Sequence, residues 1–117
     1  MIKEKKKVLR IIDAFNAYCF FVGGKNIESK LTYKDGEWKF YFKSEYLPKY
    51  KESLLNLEKQ INEIECGSTE EMYWHNLNSE NLIDENDIYL IASMVENAKV
   101  FLSEKEFKVE FTRKNKE

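Results

Sequence analysis

"LTYKDGEWKFYF", residues 31–42, decides the fold of this chain. Every second residue is apolar up to Tyr33, and the alternation resumes at Trp38 after Asp35-Gly36. Period-two alternation marks a half-buried strand, and Asp-Gly between two such runs marks a two-residue type I′ turn. That turn sets the register: Lys34 opposes Glu37, Tyr33 opposes Trp38, Leu31 opposes Phe40 and Ser29 opposes Phe42. The large apolar residues then share one face, and a slip of one residue would turn the whole set to water. The opposite face carries Lys30, Thr32, Lys34, Lys39, Tyr41 and Lys43.

Outward from the hairpin, Val8, Ile11, Ile12, Phe15, Tyr18, Cys19 and Val22 recur at helical spacing, so residues 4–22 read as a helix stopped by Gly23-Gly24. Pro48 suits a helix's first turn. Leu47, Tyr50, Leu54, Leu57, Ile61 and Ile64 then step by three and four along a second helix. Two and a half heptads fall short of a coiled-coil seam, and a sheet needs such a stripe to cover it. Cys66-Gly67 ends that helix, and the capping box "STEE" opens a short one over residues 68–76. Asp84 reads as the N-cap of a third long helix whose stripe is Ile88, Ile91, Val95, Ala98 and Leu102. Phe107, Val109 and Phe111 alternate in a closing strand before a charged tail, "RKNKE". The expected fold is therefore an α+β two-layer sandwich in the order α-β-β-α-α-α-β. Its three-stranded, mainly antiparallel sheet consists of the hairpin plus the C-terminal strand, covered on one face by helices. At 117 residues it forms one domain, 1–117, with one core.

A net charge of −2 conceals a strong segregation. From Glu52 to Glu96 there are eleven acidic residues against Lys59 alone, a net of −10; the remainder holds 18 basic and 10 acidic residues, a net of +8. Such segregation bears on partners and encounter rates. Cys19 and Cys66 lie 47 residues apart without Cys-x-x-Cys spacing, which suggests neither zinc nor a redox pair and fits reduced thiols in the cytoplasm. The N-terminus begins with lysines and continues into an apolar run, as a signal peptide would. Arg10, Asp13 and Asn16 interrupt it at three-residue steps, and no apolar stretch approaches the ~18 residues of a membrane span.

Chemistry-bearing motifs are sparse. His75 is the only histidine, with Glu70 and Glu71 on the same short helix, but no serine stands in a nucleophile elbow. Asp84, Glu85 and Asp87 cluster as calcium ligands would, yet Ile88 and Val95 stand where an EF-hand loop needs oxygen ligands. Acidic residues in a first helical turn are explained by the dipole. "GGK" at residues 23–25 follows a helix rather than a strand and lacks Walker spacing. The chain is thus expected to be non-enzymatic, with no catalytic residue, cofactor or metal.

Two surfaces remain. The first expectation is a small binding protein of bacterial or phage type, an inhibitor or immunity-type protein docking a basic protein partner. Its acidic helical surface would be built from Glu70, Glu71, Tyr73, Trp74, Glu80, Asp84, Glu85 and Asp87, with the aromatics as anchors and the carboxylates steering. The alternative is a single-stranded nucleic-acid binder using Lys30, Lys34, Lys39, Tyr41 and Lys43, because a tyrosine amid lysines on a sheet stacks a base between phosphate contacts. Glu28, Glu37 and Glu110 dilute that charge, and lysines also keep a sheet soluble. A homodimer follows if the sheet leaves an edge open.

Overall fold

The computed structural model describes residues 3–63 and 87–115. Helix α1 (Glu4–Phe21) leads into the hairpin β1 (Glu28–Lys34) and β2 (Glu37–Glu45). A 3₁₀ turn at Pro48–Tyr50 runs directly into α2 (Lys51–Glu63); α3 (Asp87–Ala92), β3 (Glu96–Leu102) and β4 (Glu106–Lys114) follow. The four strands form one antiparallel sheet in the order β1-β2-β4-β3, and the helices cover one face.

The hairpin has the register its sequence dictates, from Glu28 opposite Lys43 to Lys34 opposite Glu37. Asp35 and Gly36 take positive φ, 54° and 77°, as a type I′ turn requires. The glycine stop of α1 is a Schellman closure: Gly23 N–H donates to Phe20 C=O and Gly24 N–H to Cys19 C=O, with Gly23 at φ 104°. Gly24 has no room for a side chain, because a Cβ there would meet Ser44 Oγ and lie 2.9 Å from the Cys19 carbonyl. The strand-end carboxylate of Glu45 ties down the next two residues, accepting the backbone N–H groups of Lys25 and Asn26 at 3.1 Å each.

Phe15 sits at the centre of the core, its ring 4.5 Å from Phe42 and 5.5 Å from both Tyr18 and Phe111. Phe40 and Phe42 from β2 meet Phe111 from β4 at 5.1 and 5.6 Å. Each buried phenylalanine contributes about 1.5–3 kcal/mol, and each ring pair adds roughly 0.5–1.5 kcal/mol. Leu54, Leu57 and Ile61 of α2 are fully buried, so its stripe serves the core. Cys19 is buried as well, which pushes its thiol up to about 12 despite a hydrogen bond with Ser44.

Two expectations need correction. The sheet has four strands, not three, and residues 96–102 form β3 rather than the end of a long third helix, so the closing order is α-β-β. Ala98 and Leu102 are four apart, a spacing that satisfies both a helical stripe and a strand face. The structure resolves the ambiguity with Ala98, Val100 and Leu102 toward the core and Asn97, Lys99 and Phe101 away from it. Asn97 takes φ 57° where the pairing shifts by one residue between Glu96 and Lys99, a bulge that asparagine tolerates in the left-handed region. Second, Arg113 is no part of a solvated tail. It lies on β4 with no exposed surface, donating Nε and Nη2 to Glu4 at 2.8 and 2.9 Å and Nη1 to Met94 C=O at 2.7 Å.

The short helix expected over residues 68–76, the Asp84 cap, His75 and Cys66 lie outside the described residues.

Candidate nucleic-acid interface

The face of the sheet turned away from the helices is built by alternation, so its side chains follow from the register. Five rows cross it: Lys34–Glu37–Lys114, Thr32–Lys39–Thr112–Glu96, Lys30–Tyr41–Glu110–Lys99, Glu28–Lys43–Lys108–Phe101 and the short Glu45–Glu106. The five residues expected to form a basic sheet surface, Lys30, Lys34, Lys39, Tyr41 and Lys43, all lie here. Lys30 stands opposite Tyr41 and Thr32 opposite Lys39, as the hairpin dictates.

The rows are not electrically uniform. Lys34 and Lys114 flank Glu37, and Glu110 separates Tyr41 from Lys99, an arrangement of opposite charges that stabilises a solvated sheet. In the fourth row Lys43 and Lys108 are direct partners with no carboxylate between them. Lys43 also faces Glu28 across the hairpin and makes a long surface contact with Glu106, 4.0 Å. Next to Lys108 stands Phe101, 54% exposed, and Tyr41 lies one row away, half-buried. Tyr41, Lys43, Phe101 and Lys108 line one shallow groove, with Glu106 and Glu110 on its wall, that ends at the β3–β4 turn. A second groove, between Lys30 and Lys39, shares Tyr41 and Glu110 with the first. A third, at the hairpin tip beside Lys34 and Lys114, shares Thr32 and Lys39 with the second. Together they make a diagonal track across the open face, about 25 Å long at ~3.3 Å per strand residue.

Phe101 and Lys99 were not foreseen on this face, because residues 96–102 read as helix. The signals that would have placed them are Asn97, which accepts positive φ, and the β-favouring run Val100-Phe101-Leu102.

The acidic surface is a different matter. Glu70, Glu71, Tyr73, Trp74, Glu80, Asp84 and Glu85 lie outside the described residues, and Asp87 opens α3. Of the carboxylates in the acidic stretch, Glu58 accepts the Val100 backbone N–H at 2.8 Å and Glu96 lies on the open sheet face. Among the described residues no three metal-ligating side chains gather, and no helix is long and apolar enough to cross a membrane. Compared with known proteins, the chain matches no family model, no curated protein and no solved structure.

Proposed function

We propose that this protein binds single-stranded nucleic acid along the diagonal track of its open sheet face. The observation that carries the reading is the Lys43–Lys108 pair with two aromatics in reach, Phe101 beside Lys108 and Tyr41 one row away. Like charges directly opposite on a sheet are a cost to stability, and a phosphate seated between them removes it. The exposed Phe101 ring and the half-buried Tyr41 ring would stack bases without regard to sequence, as single-strand binders do. Lys30 and Lys39 continue the phosphate path into the neighbouring groove. A track of this length holds about four nucleotides, the low end for single-strand sites.

The test is fluorescence anisotropy of short labelled single strands titrated with the protein at two salt concentrations. If Lys30, Lys39, Lys43 and Lys108 each meet one phosphate, the logarithmic salt slope is roughly −2.8, and affinity falls ~50-fold between 50 and 200 mM salt. Tyr41→Ala and Phe101→Ala should each weaken binding about 5- to 150-fold, the loss of one stacked base. Absence of binding at the lower salt, or binding indifferent to both ring substitutions, would refute the reading.

A second reading is favoured by the segregated charge: eleven acidic residues against one lysine between Glu52 and Glu96. On that reading the protein is an inhibitor-like module whose acidic segment steers onto a basic protein partner, with Tyr73 and Trp74 as anchors. The same titration separates the two, because an acidic docking surface gives no binding of single strands at either salt.

A further inference from the structure

We propose that the free edge of β1 is an interface between two copies of this chain, joining two four-stranded sheets into one antiparallel sheet of eight strands. The two edges of the sheet are treated differently by the fold. On β3, α2 reaches over the edge: Asn62 accepts the Ala98 N–H at 2.8 Å and donates to the Ala98 C=O at 2.9 Å, and Glu58 accepts the Val100 N–H. That edge is occupied by α2 at Ala98 and Val100. On β1 the phase of the ladder is fixed by the bond from Asn115 N–H to Gly36 C=O. It directs the even-numbered residues of β2 to β4 and the odd-numbered ones to β1. Lys34, Thr32 and Lys30 therefore bond to β2, and Ser29, Leu31 and Tyr33 turn their N–H and C=O groups outward. No hydrogen bond among the described residues reaches those groups. Such an edge templates another strand unless it is blocked, and β1 has neither proline nor bulge.

The sequence of β1 selects its own copy as the occupant. A two-fold axis at Leu31 is the one centring that engages all three outward residues, pairing Leu31 with Leu31 of the second copy and Ser29 with Tyr33 in both directions. On the open face that register sets Glu28 against Lys34 twice and Lys30 against Thr32 twice. The alternatives two residues away oppose Lys30 to Lys30, or Lys30 to Lys34 twice. Opposite charges directly across strands stabilise and like charges destabilise, so charge and hydrogen bonding choose the same register. On the helical side Tyr33, 50% exposed, crosses over the small Ser29 of the second copy, and the leucines meet at the axis. The contact is isologous, so it closes as a dimer and cannot propagate.

Sedimentation of the full chain from about 1 to about 500 µM, the range of weak interfaces, should show mass rising from 14.0 kDa toward twice that value. Leu31→Pro removes an outward N–H without touching the β1–β2 ladder, so the protomer should keep its far-UV circular dichroism while the dimer is lost. Lys34→Glu places Glu against Glu twice and should raise the dissociation constant roughly fivefold to thirtyfold. The swapped variant E28K/K34E restores the pairs and should restore the dimer, a rescue that damage to the protomer cannot mimic. A wild-type chain monomeric throughout, a folded Leu31→Pro variant that still dimerises, or a charge swap that fails to rescue would each overturn the proposal. If Leu31→Pro unfolds, the charge series decides alone.

Discussion

Removing the charge of Glu4 tests the reasoning about the core most sharply. Among the described residues Arg113 is the largest side chain with no exposed surface, and Glu4, 3% exposed, meets it with both carboxylate oxygens. The pair links the first turn of α1 to the last strand, 109 residues apart. Glu4→Gln keeps the shape but withdraws the Glu4 charge from a buried guanidinium. Breaking a buried pair from one side costs about 3–5 kcal/mol, whereas replacing both partners with apolar residues of similar volume is often neutral. At about 4–8 °C per kcal/mol for a small domain, the thermal midpoint of Glu4→Gln should fall by at least ~12 °C. Glu4→Leu combined with Arg113→Met should recover most of that loss. Circular dichroism melts with parallel urea titrations give both values. A loss below ~1 kcal/mol for Glu4→Gln would refute the reasoning, because that is what an exposed ion pair is worth.

Two further outcomes follow from the α1–β1 connection. Gly24→Ala drives a Cβ into buried Ser44 and the Cys19 carbonyl, neither of which can yield cheaply. It should cost about 1–3 kcal/mol in a thermal melt, while Gly36→Asn, with open space and a φ asparagine tolerates, should cost far less. The second concerns pH: the backbone N–H groups of Lys25 and Asn26, with the Asn26 side chain, hold the Glu45 carboxyl below its usual range. A carboxylate with a lowered folded value stabilises fully above its unfolded value of about 4.3 and loses that contribution as pH falls through the folded one. Glu45→Gln should therefore melt below wild type at neutral pH and converge with it in acid; a constant gap would count against the latch.

The hairpin was legible to the residue because two signals agree there: the period-two alternation and the Asp-Gly turn fix one register between them. The Schellman stop at Gly23-Gly24 was legible for a similar reason, since glycine pairs seldom serve anything else after an apolar helical stripe. Residues 96–102 were not, because Ala98 and Leu102 fit periods of two and four equally well and the deciding information is tertiary: α2 supplies Asn62 and Glu58 to the β3 edge. Misplacing that segment hid Phe101, for without β3 the open face has one aromatic instead of two. Arg113 was hidden differently. Charge next to a lysine-rich terminus reads as solvated, and the partners that accompany its burial, Glu4 and the Met94 carbonyl, come from distant parts of the chain.

The free edge and the open face have a common origin in how unevenly the helices cover the sheet. Strands β2 and β4 carry the buried phenylalanines, and α2 closes over β3, but on β1 only Leu31 escapes full exposure. What holds β1 is its ladder to β2 and the contact of Tyr33 with Trp38, ring centres 4.6 Å apart. Beneath that contact Trp38 Nε1 is buried without a hydrogen-bond partner among the described residues, an omission worth about 1–3 kcal/mol. Stability alone would favour a helix drawn across this side or a shorter, proline-blunted strand. The chain instead keeps a full seven-residue strand whose charges complement themselves. The same strand feeds Lys30 and Lys34 into the track on the open face, so a second copy at this edge would extend the basic surface as well as complete the sheet.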